Sequence, residues 1–398
     1  MIETAGLIIA FLGIFILRAK KVEFYMAITV AAVVIGLTSG APLSIFKDVL
    51  VKTLSAYNTW TLVSAVALIT VLGYTLETTG LMVRFIKGMS EILPGNILLA
   101  SIPALFGFLS MPGGALMSAP FIEPEANRLG LKPEEKTFYN VWFRHLLYWV
   151  NPITSSTIMA VTLSGIPVGT WLRVQSPLFF AMTVIGFIAS RGFISKSSGG
   201  DGVKSLSLGN LLGGVPMILT VGLTLLGAPI WASLLMGIIV ALFLGKVGGG
   251  MVLSMVRGGV RWDVVASILA MLYLRDMIVV SGSIVKLFDY VLAGGVPLVA
   301  IALVVPLFIG AISGSPTMGV GIAFPILLPL FGDVNIHITS IIYLGITCAY
   351  ITSPLHLCLV LTNNYFKSDL NKVLKYLAPS SFGLYFVGIA YHLILYLM

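Results

Sequence analysis

The sequence predicts an all-α polytopic membrane protein built from two inverted-topology repeats, each with five spans, one re-entrant hairpin and one broken helix. Three observations carry this reading. The 398 residues are 58% hydrophobic and only 10% charged, a balance foreign to soluble domains. Apolar stretches long enough to cross a bilayer core of about 30 Å recur along the whole chain. The second half also repeats the first at a nearly constant offset of 202 residues, which pairs Trp60 with Trp262 and Tyr148 with Tyr350.

The first half offers spans at residues 2–17, 22–40, 59–79, 138–164 and 175–190; the second offers 208–226, 229–245, 263–282, 336–362 and 376–397. The first apolar run has no basic residues before it and no small-residue cleavage site, so it reads as a retained helix and not a signal peptide. Between the third and fourth span of each half lies an interrupted segment, 95–122 and 296–331. At about 1.5 Å per residue the arms of the first, 97–109 and 115–122, are too short to cross, which predicts a re-entrant hairpin. The longer arms of the second leave two full spans as the alternative there.

The positions of the basic residues test this topology. With the N-terminus outside and each hairpin returning to its own side, the loops at 18–21, 80–94, 123–137, 191–207, 246–262 and 363–375 face the cytoplasm. They hold 17 of the 23 Lys and Arg, as the positive-inside rule requires. Lys47, Lys52, Arg173 and Lys286 fall outside, and Arg144 and Arg275 lie within apolar segments. The formal charge of +8 is thereby explained without a nucleic-acid partner. Both termini are expected on the extracytoplasmic side.

The offset also pairs Gly80 with Gly282, Pro152 with Pro354, Arg173 with Lys375, Pro177 with Pro379 and Gly186 with Gly388. In the hairpins, where one to three residues are added, Gly107 pairs with Gly310 and Pro120 with Pro325. Five crossings per unit make the second copy inverted relative to the first. The expected organisation is a first repeat at 1–195, a cytoplasmic linker at 196–207 and a second repeat at 208–398. The hairpins fall at 95–122 and 296–331, and the broken helices at 138–164 and 336–362.

Each broken helix is interrupted at a proline, Pro152 after Asn151 and Pro354 after Ser353. From Val141 to Asn151 the helix covers roughly 16 Å, about half the bilayer core, so the break falls near the midplane. Proline removes a donor and clashes with the preceding turn, so a new half-helix starts there with free N–H groups and a positive dipole end. The hairpin tips, Ser110, Met111, Pro112, Gly113 and Gly114 in one copy and Ser313, Gly314, Ser315, Pro316 and Thr317 in the other, bring further helix starts. Such termini favour an anion, and carbonyls freed at the breaks suit a small cation. The expected substrate site therefore comprises Ser110, Pro112, Gly113, Gly114, Asn151, Thr154, Ser155, the five residues 313–317, Thr352, Ser353 and His356. Hydroxyls at kinks also serve simply to satisfy backbone. Ser315, Thr317, Asn151, Ser353, His145 and His356 are the candidates for holding a coupling Na+ or H+.

Ionisable residues inside spans are costly and usually functional. His356 stands in the first turn after its break, where it would donate to an anion or carry a proton. Arg144 and His145 lie toward the cytoplasmic start of the first broken helix. Adjacent helix positions diverge by about 100°, so Arg275 and Asp276 are expected to find partners on other helices. The charged run 123–136 reads as a solvated loop, and Gly248, Gly249 and Gly250 as a flexible turn. Cys348 and Cys358, ten apart in one apolar segment, read as small packing residues. The sequence shows no Walker loop, no paired metal-ligand motif and no nucleophile elbow, and no cofactor is expected.

Inverted repeats of this make-up, each with a hairpin and a helix broken at the midplane, resemble the ion transporter superfamily, which includes sodium-coupled dicarboxylate and citrate carriers and gluconate permeases. Within it the chain is most similar to a prokaryotic family of uncharacterised integral membrane proteins. In the dicarboxylate carriers each hairpin tip carries a Ser-Asn-Thr triplet that contacts substrate and helps to hold sodium. The matching positions here are Ser315, Pro316 and Thr317, and Met111, Pro112 and Gly113, so the Asn is absent from both. The resemblance implies an elevator-type motion within a homodimer.

These readings converge on a secondary transporter, not an enzyme, in a prokaryotic inner membrane, moving a small anionic solute with sodium or protons, with membrane lipid and a second copy of the chain as its other partners. A channel and a lipid or lipid-phosphate carrier are the alternatives. An intramembrane enzyme would need an acid-base or metal constellation that the sequence pattern does not display.

Overall fold

A chain this apolar can place its backbone in lipid only as helix, because each unpaired N–H or C=O there costs several kcal/mol. The computed structural model describes residues 2–20, 22–93, 95–108, 114–193, 208–282, 294–353 and 355–397, and among them the regular structure is entirely helical. The first half runs α1 (Ile2–Ala19), α2 (Phe24–Thr38), α3 (Ile45–Ser55), α4 (Tyr57–Thr78), α5 (Leu81–Ser90), α6 (Gly95–Phe108), α7 (Gly114–Arg128), α8 (Pro133–Arg144), α9 (Ser155–Ser164) and α10 (Val168–Ser190). The second runs α11 (Leu208–Leu211), α12 (Val215–Leu225), α13 (Ile230–Leu244), α14 (Gly249–Gly259), α15 (Trp262–Ser281), α16 (Leu298–Ser313), α17 (Pro316–Leu327), α18 (Ile336–Thr352), α19 (Leu357–Phe366) and α20 (Leu370–Leu397). Five stretches, Thr59–Thr78, Val168–Ser190, Trp262–Ser281, Ile336–Phe366 and Leu370–Leu397, are long and apolar enough to cross a membrane. Large apolar side chains such as Leu226 and Phe243, 86% and 81% exposed, cover the outside, as expected where the solvent is lipid.

The sequence offset survives as structure. Helices α9 and α19 match at both ends when 202 is added, and α7 and α10 begin 202 residues before α17 and α20. Both α9 and α19 end on a left-handed residue, Gly165 at φ 72° and Lys367 at φ 52°. The glycines Gly107 and Gly310 have a packing reason. A Cβ on Gly107, in α6, would fall on the carbonyl oxygen of Arg144, and one on Gly310, in α16, on that of Ile346. The first arm of each hairpin thus lies backbone to backbone on its own broken helix. Small residues permit this approach where lipid supplies no hydrophobic drive between helices.

Past each break the pairing switches to the other half. Helix α9 packs on hairpin arm α17, and α19 packs on α7 and α8. Buried polar bonds hold the second of these contacts: Ser118 donates to Asn140 (2.6 Å), Asn140 to Thr362 (2.9 Å), and the Thr137 and Ser368 hydroxyls meet at 2.8 Å. Helix α9 is also tied to the second half through α18, where the Ser156 and Tyr343 hydroxyls lie 3.0 Å apart.

Several expectations need correction. The run 123–136 is not a solvated loop: α7 continues to Arg128 and α8 starts at Pro133, with Glu135 and Lys136 buried. Proline at the first position and acids in the first turn start this helix, and the Glu135 carboxylate accepts the Lys132 N–H at 2.8 Å. The first broken helix consequently begins five residues before 138. Gly249 and Gly250 open α14 instead of forming a flexible turn. Arg275 does pair with its neighbour Asp276, at 2.8 and 3.1 Å, because its long side chain curls around the helix; Thr53 donates to the other carboxylate oxygen at 2.7 Å. Helix α5 was not anticipated: it buries Leu81, Met82, Phe85 and Ile86 and exposes Arg84 and Lys87, the pattern of an interfacial amphipathic helix. The linker 196–207 lies outside the described residues.

The glycine contacts give the first prediction. Gly107→Ala and Gly310→Ala should each destabilise by about 1–3 kcal/mol, because overpacking against backbone cannot relax cheaply. Gly383→Ala, in α20 with open space around it, should be neutral or gain up to about 1 kcal/mol. Thermal unfolding of the three variants in detergent checks this, and equal behaviour would refute the close approach.

Candidate functional site

The two breaks are built alike. Helix α8 ends at Arg144, a 3-10 turn spans Leu146–Trp149, and α9 starts at Ser155. In the gap, Asn151 turns the chain. Its side-chain oxygen accepts the Ile153 N–H at 3.0 Å, and its amide donates to the Phe108 carbonyl at 3.0 Å, at the end of α6. In the other half Ser353 does the same: its hydroxyl accepts the Leu355 N–H at 3.0 Å and donates to the Ala311 carbonyl of α16. Each interruption is thus closed locally and clamped to its own hairpin by one polar side chain.

The expected site residues divide into three groups. Ser110, Pro112 and Gly113 lie outside the described residues, as does Pro354, while Gly114 opens α7. At the second tip, Gly314 takes φ 67° and Ser315 is extended at φ −163° before Pro316 starts α17. This tip meets the second break, since a Cβ on Gly314 would contact the Leu355 carbonyl at 3.6 Å. Thr317 is half-buried one position on. Other hydroxyls are committed to backbone: Ser313 donates to the Gly310 and Ser315 carbonyls (3.3 and 3.0 Å) and Thr352 to Ala349 (3.1 Å). Thr154 caps α9 by accepting the Thr157 N–H at 3.3 Å and donates to the Thr157 hydroxyl at 2.7 Å. Ser155 is buried beside it.

The third group is brought together across the halves. His145 follows the last residue of α8 and His356 precedes the first of α19, and their rings meet at 4.7 Å between centroids. Tyr350 packs on His356 at 4.0 Å with the ring planes tilted by 42°, and Tyr148 meets His145 edge-on at 4.9 Å. Both imidazoles are fully buried. Nδ1 of His145 lies 2.6 Å from the Val141 carbonyl and Nδ1 of His356 lies 3.1 Å from the Ile351 carbonyl. A carbonyl can only accept, so each Nδ1 carries the proton and each Nε2 keeps its lone pair; neither Nε2 has a protein partner. A ring nitrogen of each histidine and the Cys358 sulfur lie within 4.8 Å of one another.

Sequence reasoning had each histidine as a separate candidate and passed over Cys358 and the two tyrosines. The repeat was no guide to the pairing, because the 202-residue offset places His145 opposite Thr347 and His356 opposite Thr154. One local signal was present: His356 and Cys358 form a His-x-Cys motif in a segment otherwise poor in ligating groups.

A family model described as "Protein of unknown function (DUF401)" matches residues 4–394. The chain belongs to this family. No curated protein matches it. Among solved structures, it is similar to the crystal structure of the Alcanivorax borkumensis YdaH transporter, described as having an unusual topology. The TM-score is 0.61 at 14% identity, covering 87% of this chain and 86% of that one. At that identity the likeness establishes a shared fold.

The clamps yield a second prediction. Asn151→Ala and Ser353→Ala should each cost about 1–3 kcal/mol by orphaning a buried carbonyl and N–H. If the clamps are independent, the double variant should match the sum within about 0.5 kcal/mol. Denaturation of both single variants and the double tests this, and a negligible cost at either position would contradict the clamp.

Proposed function

We propose that the protein is a secondary active transporter of a small organic anion of carboxylate type, coupled to sodium or protons and working by elevator-type alternating access. The observation that carries this is the pair of clamped helix breaks, repeated in both halves and joined across them. New helices α9, α17 and α19 begin at or beside these breaks. Each start carries roughly half a positive charge and turns its first-turn N–H groups away from the helix, which suits an anion held by the backbone donors that no cap takes; in α9 the Thr157 N–H is taken by Thr154. Arg144, buried next to His145, adds a fixed cation. Asn151, Ser353, Ser315 and Thr317 are the side chains assigned to substrate and coupling ion, with His145 and His356 for a coupling proton.

The hairpin arms support a re-entrant path in both copies. At about 1.5 Å per residue, α6 (14 residues), α7 (15), α16 (16) and α17 (12) reach only about 18–24 Å, short of the roughly 30 Å core. The inverted topology, a homodimeric assembly and residence in a prokaryotic inner membrane belong to the same reading. A groove of about 470 Å³ favours a second one. Lined by Val304, Phe308, Cys348 and Phe382, it runs to Thr352 and Ser353 at the second break, and its apolar wall would accept an acyl chain, as a lipid or lipid-phosphate carrier requires.

Two measurements test the proposal. Tags placed after Lys20 and at Asp201 should be cytoplasmic and one at Asp289 external; an internal Asp289 tag would refute the inverted topology. Purified protein in liposomes should take up one member of an organic-acid panel in a saturable way, only when a sodium or proton gradient is imposed. Uptake should fall at least roughly tenfold in Asn151→Ala and Ser353→Ala, a loss of about 1.4 kcal/mol of binding or more. Non-saturating flux would establish a channel instead, and uptake of lipid phosphates alone would establish the groove as the route.

A further inference from the structure

We propose that His145, His356 and Cys358 form a binding site for one thiophilic transition-metal ion, Zn2+ or Cu+, held between the two helix breaks. The inference rests on side chains that need no substrate to meet; an ion held on both Nε2 atoms excludes the proton-coupled form of the transport reading and leaves its sodium-coupled form untouched.

The ligand set is supplied by both halves: His145 from the end of α8, His356 from the residue before α19, and Cys358 from the first turn of α19. Among the described residues this is the one trio of His, Cys, Asp or Glu at ligand spacing, and all three are buried. Metal–nitrogen and metal–sulfur bonds of about 2.0–2.3 Å put two ligand atoms of one ion roughly 3.5–4 Å apart. A cluster already within 4.8 Å closes on an ion by shifts of about 1 Å, within reach of a cysteine rotamer change.

The histidines are also oriented as ligands. Each gives its Nδ1 proton to a backbone carbonyl of the half-helix that precedes it, Val141 in α8 and Ile351 in α18, the outer contact that fixes tautomer and ring plane in metal sites. What remains is Nε2, buried and unpartnered in both rings. Two buried acceptors without a protein partner are costly, and a cation satisfies both at once. His392 also has an unpartnered Nε2, but its neighbour is His337, and among the described residues no cysteine or carboxylate completes a set there.

The donor types select the ion. Two imidazoles and a thiolate favour Cu+ or Zn2+, whereas Mg2+ and Ca2+ need oxygen ligands. On binding, the thiol gives up its proton, and the resulting negative charge offsets part of the ion's. Arg144, whose charge acts on both histidines, disfavours any cation that lacks this compensation. Three protein ligands leave a fourth position open. An ion here would tie the two breaks to each other.

The test uses full-length protein in detergent, freed of any polyhistidine tag and of bound metal, with Co2+ as the spectroscopic probe. Titration should give one Co2+ per chain with a thiolate-to-cobalt charge-transfer band, and Zn2+ should displace it. Cys358→Ser should abolish the band, His145→Ala and His356→Ala should weaken binding at least roughly tenfold, and Cys348→Ser should leave it unchanged. In the unaltered protein, Zn2+ should slow alkylation of Cys358 and not of Cys348, a readout that holds even if a variant fails to fold. Absence of a thiolate band, a band that follows Cys348, or equal alkylation of the two cysteines with and without Zn2+ would each overturn the site. Metal binding without anion uptake would overturn the transport reading alone, and the reverse result would overturn this one alone.

Discussion

The structure depends on one kind of contact, a single polar side chain that closes a helix break and ties it to a hairpin carbonyl. In hydrocarbon, a helix can be interrupted only if the groups freed by the interruption are bonded again within the protein. Asn151 meets this condition in the first half through the Ile153 N–H and the Phe108 carbonyl. Ser353 meets it in the second through Leu355 and Ala311. An amide and a hydroxyl differ in size and donor count, yet each supplies the one donor and one acceptor that the geometry demands. The hairpin's position follows. With its arm bonded to the break, the arm's backbone must lie against the helix, and that leaves no room for a side chain at Gly107 or Gly310.

A second constraint keeps the two breaks together. Each new half-helix leaves its own repeat and packs on the other's hairpin, α9 on α17 and α19 on α7. Apolar contacts alone give little preference between partners in lipid, because the tails are as apolar as leucine. Specific choice falls to buried hydrogen bonds such as those joining Ser118, Asn140 and Thr362. Moving α19 away from α8 would break this chain and separate His145 from His356. The geometry of the candidate site is therefore set by contacts made about one and two helical turns away from it.

Much of this was legible in the sequence because the constraints are local or periodic. Pro152 after Asn151 and Pro354 after Ser353 mark the breaks by chemistry that acts within a turn. The repeat shows because the same backbone path needs a similar residue at many matched positions, Gly80 and Gly282 among them. Charge in loops was less readable. The run 123–136 looks solvated by composition, but Lys136 reaches the Asn127 side chain and Glu135 caps its own helix, so both are buried without being exposed as free charges. The curl of Arg275 onto Asp276 escaped an argument made from Cβ directions alone. The meeting of His145, His356 and Cys358 was beyond reach, since it depends on how α19 crosses from one repeat to the other.

That crossing also explains why the site is asymmetric on a symmetric scaffold. Adding 202 turns His145 into Thr347, and subtracting it turns His356 into Thr154 and Cys358 into Ser156. The backbone-directed bond survives the exchange: His145 Nδ1 donates to Val141 and Thr347 Oγ1 to Tyr343, each four residues back. What changes is the chemistry left over once that bond is made. A threonine hydroxyl has then used its only proton, and the Ser156 hydroxyl is engaged with Tyr343. An imidazole still has a second nitrogen, and a thiol is a weak hydrogen-bonding group but a strong ligand when ionised. One side of the pseudo-symmetric pair is thus closed on itself by hydroxyls, while the other keeps two imidazole nitrogens without a protein partner and, beside them, a cysteine sulfur whose hydrogen-bond partner is Tyr350. The fold demands equal backbone geometry from its halves and makes no demand on that remainder, which is where the two halves are free to differ in function.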